Sequence, residues 1–532
     1  MEINKKYKIW DIIEYALGLI TVIILFSFVH LNMSYELRDP DIWLHLKTGE
    51  YIVNNRGVPN TDIFSSTISG KEWINHSWLV QVIYYLVFRF GGVDNLIFVS
   101  AITVTLAFLF LFLSVYGQHK YLIINTAVLF ITIMASKIRF NIRPENFSIL
   151  FLSLYLFILT KHIRKKWVYL LPLIQLAWVN SHGFFILGPL TLGIFILAEK
   201  AKRIPIFANK AQDIELQDTD SYKNLVCVLL LTLLVSFVNP YGYKGALYPF
   251  KIIFTCIGKS SIFYDYIEEL LPSWHFFKMA SYYYLLIILS LSVSLLNFKK
   301  INLAYFLLWL LSLGASLRVN RNIIYFNFFA FLVAVDGLAK GPNNKRFNFV
   351  EDFFGKSLRF LKYILNFIIA IVLISWSLKQ NYSILTSRYY IFEENRTKSA
   401  LLGIAAKGYP DKATDFILEK DLPGNIFNQF NYGSYLIYRL YPKKRVFIDG
   451  RTELYGEKFF KDYEKILSIN KEAINDTFKR YDINTVLLGE SGLNLGSISS
   501  YFFKSPDWKL VYFDENSLVY LKDITQNKIL IG

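Results

Sequence analysis

The sequence predicts an α-helical protein that crosses a membrane many times and ends in a C-terminal α/β domain. Three observations predict it. Of the 532 residues 54% are hydrophobic and only 18% are charged, too few polar groups to cover a soluble surface, so lipid must serve as solvent for most of the chain. Apolar runs recur at the length needed to cross a hydrocarbon layer. Lys and Arg gather in alternate connecting loops, which sets an orientation.

The runs lie at residues 11–33, 94–116, 121–137, 146–160, 167–180, 183–198, 223–239, 281–297, 301–317, 322–338 and 360–378, about eleven helices. Lys5, Lys6 and Lys8 precede the first run, and no small-residue cleavage site follows it. It reads as an uncleaved anchor with a cytoplasmic N-terminus. The loops assigned inside carry Lys161, Arg164, Lys165 and Lys166, then Lys200, Lys202 and Arg203, then Lys299 and Lys300, then Lys340, Lys345, Arg346, Lys356 and Arg359. With an odd number of crossings the tail lies outside. The expected location is the cell membrane, inner or plasma, with multiple passes and an extracytoplasmic C-terminal domain.

Residues 1–378 form the expected membrane domain, with a long outer loop at 34–76, and 379–532 the outer soluble domain. Within the outer loop a helix is expected over 41–54, opened by Asp39-Pro40-Asp41 with an acid at its positive end. Segment 77–91 is apolar but too short to cross, so it reads as an interfacial helix. In the tail, strands are expected at 425–428, 445–449 and 485–489, a closing hairpin from WKLVYFD and SLVYLK, and helices between them. Strands alternating with helices indicate a small α/β domain. The 200–222 loop is the main polar insertion of the membrane part.

The net charge of +16 would suggest nucleic acid in a soluble protein. Here the basic residues sit in short loops against anionic headgroups, so membrane lipids, and no nucleic acid, are the expected partners. Of the two cysteines, Cys227 lies inside an apolar run and Cys256 in an outer loop. No disulfide and no cysteine metal site are expected.

Threading the runs places the chemistry-bearing residues on the outer face: Asp39, Asp41, His45, His76, Arg139, Arg143, Glu145, Asn180, His182, Asn239, Arg318 and Arg321. Asp39 and Asp41 are the sharpest pair. Two close carboxylates can share a divalent cation, or one can act as a base while the other tunes it. Asp before a helix is also an ordinary cap. His45, four residues after Asp41, projects from the same helix face, and Asp41 with His45 is a workable metal-ligand pair.

Trp73, His76 and Trp78 form WINHSW. The two tryptophans read as interfacial anchors, and His76 as a site residue or a satisfied structural histidine. Arg139, Arg143 and Glu145 in RFNIRPEN suit a lipid-linked phosphate, or an Arg–Glu pair that closes the loop. Asn180 and His182 in WVNSHG sit where polar groups are costly, though a hydrogen-bonded turn with Gly183 explains them too. Asn239 in NPYGY is most simply part of a helix stop. Arg318 and Arg321 in RVNRN run against the orientation rule. An anionic ligand accounts for them, and so does a buried acid such as Asp39 or Asp41. Asp449-Gly450-Arg451 after RVFID reads as a structural turn.

The pattern DPDIWLHLKTGEYIVNNRGVPNTDIFS…WINHSWL, then NIRPEN, WVNSHG, NPYG, RNI and VFIDGR, resembles a bacterial membrane-protein family grouped near the GT-C superfamily. GT-C enzymes are integral-membrane glycosyltransferases that use polyprenyl-phosphate sugars at the extracytoplasmic face. The resemblance covers nearly the whole chain and implies a GT-C-like fold. It places the superfamily's first-loop acid at Asp39 or Asp41, with Mg or Mn as the divalent cation such an acid would help hold. His45 is not a general feature of that superfamily.

The expected function is transfer of a sugar from a polyprenyl-phosphate donor to a glycan, lipid or protein acceptor. Asp41 or Asp39 would deprotonate the acceptor, and Arg139, Arg143, Arg318 or Arg321 would hold the phosphate. His45, His76, Glu145, Asn180 and His182 complete the expected binding set. A transporter or flippase of a lipid-linked anion is the alternative, and would place ionisable groups at mid-membrane and show inverted repeats. A non-catalytic envelope scaffold that displays the tail is the other.

Overall fold

Each expected apolar run coincides with a helix. The computed structural model describes residues 2–117, 121–163, 165–201, 219–256, 262–263, 267–278, 280–298, 300–340, 345–386, 388, 402–404, 408–489 and 495–531. Arg164, Lys202, Arg203 and Lys299, and most of the 200–222 insertion, lie outside them.

Among the described residues six helices are long and apolar enough to cross a membrane: Ile9–Met33, Trp78–Val115, Leu122–Arg139, Gly183–Ala201, Asn320–Lys340 and Phe360–Leu385. Lys166–Val179, Ser221–Val235, Ser281–Leu296 and Leu303–Arg318 are shorter apolar helices. The expected interfacial segment and the run after it are one element, Trp78–Val115, broken by non-helical backbone at Gly91 and Gly92. Gly92 has φ +68, a conformation that favours glycine, so the pair sets the bend. Cys256 closes the helix Tyr248–Cys256 rather than lying in an open loop.

The chain divides into two compact units, one of Met1–Glu36, Ile97–Val238 and Glu268–Leu402, the other of Leu37–Leu96, Asn239–Ile267 and Gly403–Gly532. At the centre of the first is helix Ile323–Lys340, whose side chains are buried almost all round, the pattern of a helix surrounded by others. It packs on Ser281–Leu296, Leu303–Arg318 and Leu122–Ser136. Two hydrogen bonds between helices pin this bundle: Asn327 Nδ2 donates to Ser136 Oγ at 3.0 Å, and Trp309 Nε1 to Ser290 Oγ at 2.9 Å. Such bonds, where lipid offers no hydrophobic drive between helices, help to fix packing. Helix Lys345–Leu385 lies along Glu2–Met33 and leaves Leu361, Leu365, Ile368 and Val372 exposed, a surface suited to lipid.

The second unit holds a four-stranded sheet in the order β1-β2-β4-β3, with β1 Asn425–Asn428, β2 Ile483–Gly489, β3 Trp508–Phe513 and β4 Ser517–Lys522. β1 and β2 are parallel. β2–β4 and β3–β4 are antiparallel, the latter being the expected closing hairpin. The expected strand at 445–449 is not part of this sheet. Its backbone pairs instead with the 64–67 stretch: Val446 N donates to Phe64 O at 3.2 Å and Ser66 N to Val446 O at 2.8 Å. The apolar run of RVFID therefore reflects burial against a distant loop rather than a sheet position.

Helix Asp41–Asn55 packs against helix Gly433–Leu440. Trp43 enters a cluster of Tyr409, Tyr435 and Tyr438, with ring centroids 5.7, 5.4 and 4.8 Å away. Gly49 lets this helix approach the 78–90 helix, because a β-carbon there would lie 2.1 Å from the Gln81 carbonyl oxygen.

Candidate functional site

The candidate residues fall into both units, and each group is built locally. In the first unit the 3-10 turn Lys137–Arg139 ends one helix, and Glu145 opens the next, Glu145–Lys161. Pro144 ahead of Glu145 presets the helical start. This short loop brings Arg139 Nη2 to 2.6 Å from Glu145 Oε2, so the loop-closing pair exists.

A second carboxylate joins it. Arg139 Nη1 lies 2.9 Å and Arg143 Nη1 2.5 Å from Glu269 Oε1. Burial raises the Glu269 pKa, but Arg143 and Arg139 outweigh burial and hold it well below the ordinary glutamate range. Sequence reasoning missed Glu269. Its one signal is the acidic pair Glu268-Glu269 ahead of Pro272, with no spacing to tie it to residues 130 positions away.

Arg321, in the 3-10 turn Asn320–Asn322, completes the cluster. Its Nε stands 3.8 Å from Glu145 Oε2, its guanidinium 5.6 Å over the Phe184 ring, and Nη2 3.5 Å from His182 Nε2. The acid beside Arg321 is thus Glu145, which the expected pairing with Asp39 or Asp41 did not name. Arg321 Nε is buried with no hydrogen-bond partner among the described residues, while the side chain is 35% exposed. His182 is buried and meets Ser148 Oγ through Nδ1 at 2.9 Å. Ser148 Oγ accepts from Trp178 Nε1 at 2.8 Å. The chain Trp178–Ser148–His182 therefore orients the imidazole toward Arg321.

The other residues expected here do different work. Asn180 Nδ2 donates to Leu176 O at 2.8 Å and Val238 O at 3.0 Å, tying two helix ends together. Arg318 is exposed at the end of Leu303–Arg318.

In the second unit, Asp39 and Asp41 sit at the start of helix Asp41–Asn55. The Asp41 backbone N–H donates to Asp39 Oδ1 at 3.0 Å. His45 is partly buried on the same helix, and its Nδ1 faces Gln81 Nε2 at 3.2 Å. Gln81 Oε1 in turn accepts from Asn75 Nδ2 at 2.6 Å. The His76 ring lies tilted against Tyr248 with centroids 5.0 Å apart. Asn239 caps its own turn, accepting from Tyr241 N at 2.9 Å and donating to Gly242 O at 3.0 Å.

Among the described residues no three of His, Cys, Asp and Glu gather as metal ligands. Among the described residues Asp41 and His45 are joined by no third such ligand, and Gln81 Nε2 faces the His45 Nδ1.

A buried charge cluster lies beside Asp41. Asp449 accepts from Arg451 Nε at 2.8 Å, Arg451 Nη2 at 2.7 Å and Tyr455 Oη at 2.8 Å. Arg451 also pairs with Asp62 at 2.6 Å. Its guanidinium lies 4.6 Å over Trp73, so Trp73 is a buried platform rather than an interfacial anchor. Burial raises Asp449, but Arg451 overrides it and holds the carboxyl below its usual range.

No family model matches the sequence, and no curated protein matches it. Solved structures match the fold. The oligosaccharyltransferase AglB from Archaeoglobus fulgidus, solved with an inhibitory peptide and a dolichol-phosphate, superposes with a TM-score of 0.54 at 12% identity, covering 91% of this chain and 70% of that one. The Archaeoglobus fulgidus oligosaccharyltransferase in complex with Zn and sulfate gives 0.54 at 13% identity over 94% and 73%. ArnT from Cupriavidus metallidurans in the apo state gives 0.51 at 9% identity, covering 99% of each chain. Identities this low carry the fold alone.

Proposed function

We propose that this chain is an integral-membrane glycosyltransferase that moves a sugar from a polyprenyl-phosphate donor to an acceptor hydroxyl. The observation that carries the proposal is Arg321, a part-open guanidinium with an unsatisfied buried Nε, set among Arg139, Arg143, Glu145 and Glu269. Guanidinium forks match phosphate oxygens and keep their charge in a dry setting. The GT-C fold supports the reading, and the AglB structure of that fold holds a dolichol-phosphate.

Asp41 is the proposed base. Asp39 already accepts the Asp41 amide, which spends one of its oxygens on the helix start. Asp41 takes the acceptor proton, the acceptor oxygen attacks the anomeric carbon, and the bond from that carbon to the phosphate oxygen breaks. The electron pair leaves with the phosphate, whose developing charge calls for a cationic partner. No step is routed through a metal. The acceptor class, whether glycan, lipid or protein, stays open. The apolar helices support a multi-pass place in the cell membrane. Eleven crossings, a cytoplasmic N-terminus, an extracytoplasmic site and a division near residue 379 are parts of the proposal.

The test is release of sugar from a polyprenyl-phosphate hexose by the purified full chain in detergent, beside restoration of a surface glycan in a deletion strain. Asp41→Asn should abolish both while the protein stays folded and membrane-inserted. Wild-type turnover by the Asp39→Asn, Asp41→Asn double variant would overturn the mechanism.

A further inference from the structure

We infer that Gly450 is a positioning residue: the bare backbone of the Asp449-Gly450-Arg451 turn is the wall that sets where the Asp41 carboxylate rests. The inference deepens the proposed function and rests on Asp41 being its base.

Gly450 is not among the residues with positive φ, so its backbone conformation would accept any residue. What excludes a side chain is Asp41: a β-carbon on Gly450 would lie 2.7 Å from Asp41 Oδ1, with Ser434 Oγ next at 3.5 Å. Real β-carbons do not sit that close, so one of the two must move.

The turn is the less able to yield. Asp449 is completely buried and is held by the Arg451 amide at 3.0 Å, the Arg451 guanidinium and Tyr455. Arg451 is held in addition by Asp62 and lies on Trp73. On the other side, Asn428 Nδ2 donates to Ile448 O at 2.8 Å, which ties down the chain just before the turn. Asp41 has contacts of its own, but its carboxylate is the end of a side chain with two rotatable bonds. A methyl at position 450 therefore turns the carboxylate and leaves the turn in place. This explains why glycine stands in a turn whose dihedral angles do not require it.

Gly450→Ala separates this from a purely structural role. The expected result is a folded protein with a melting temperature within a few degrees of wild type. Its kcat for sugar release from a polyprenyl-phosphate hexose should fall about a hundredfold, the size of loss that a displacement near 1 Å can cause, with KM unchanged within about twofold. A glycine needed only for the fold gives the reverse, a lower melting temperature and unchanged kcat per folded molecule, and that result overturns the inference. If Gly450→Ala does not fold, the Asp41→Ala, Gly450→Ala double variant decides. Recovery of folding identifies Asp41 as the group that the methyl strikes, and failure to recover overturns the inference. Asp41→Ala with wild-type turnover sinks the base assignment itself. Inactive Asp41→Ala beside fully active Gly450→Ala sinks only the role of Gly450.

Discussion

Asp39 and Asp41 are joined through the backbone: Oδ1 of Asp39 accepts the amide of Asp41 at 3.0 Å. Two acids that look alike in sequence thus have different duties. Asp39 satisfies an amide at a helix start, and Asp41 opens the helix itself. Asp and Asn cap about equally well, so Asp39→Asn should keep near-wild-type turnover and stability. Asp39→Ala should cost about 1 kcal/mol of stability. Asp41→Asn should remove turnover and leave the melting temperature unchanged. Turnover and thermal unfolding of the three variants check this.

Arg139 and Arg321 should separate stability from binding. Arg139 is buried between two carboxylates, so Arg139→Ala leaves those charges exposed to one another. It should destabilise by about 3–5 kcal/mol. Arg321 is looser, with its nearest carboxylate oxygen at 3.8 Å. Arg321→Gln should leave stability near wild type and raise KM for a polyprenyl-phosphate hexose at least about tenfold, the worth of one charge-assisted contact. Equal effects of both variants on melting would contradict the division.

Glu269 makes the first unit sensitive to acid. Its folded pKa lies below the ordinary 4.5, because Arg143 and Arg139 outweigh burial. The unfolded chain therefore takes up the proton first as pH falls. The stabilisation is complete above 4.5 and is lost progressively below it. Thermal unfolding of wild type and Glu269→Gln between pH about 6 and about 3 should show the wild type losing more stability across that window. Parallel curves would argue against the pairing.

Arg451 neutralises two fully buried acids, Asp62 and Asp449. Arg451→Leu leaves both carboxylates without their cation and should cost at least about 3–5 kcal/mol. Asp62→Asn keeps the Asp449–Arg451 pair and should cost clearly less. Denaturation of the full-length variants in detergent ranks them.

Orientation is open to direct labelling. A cysteine at Lys165 should react only after the cytoplasmic side is opened, and one at Lys509 should react from outside in intact cells. The basis is the Lys and Arg bias of the loops. The opposite pattern would invert the threading.

Much of the architecture is local and therefore legible in the sequence. A run such as 322–338 must become a helix wherever it lies, because in lipid each backbone amide needs a partner within its own segment. The opening of the 41–55 helix at Asp39-Pro40-Asp41 follows from Asp39, which accepts the Asp41 amide, and the Arg139–Glu145 pair from one short loop. Tertiary structure alone decided the rest. Glu269 reaches Arg143 across 126 positions, and a carboxylate at that separation carries no periodic mark. RVFID has the apolar run of a buried sheet strand, yet its partner is Phe64 to Thr67, since such a run reports burial and not the neighbour. Trp73 is interfacial by composition but lies under Arg451. Gly450 looks like any turn glycine until Asp41 is brought against it. In each case the deciding quantity is a distance between atoms far apart along the chain, set by packing of the whole unit, which no local pattern of residues encodes.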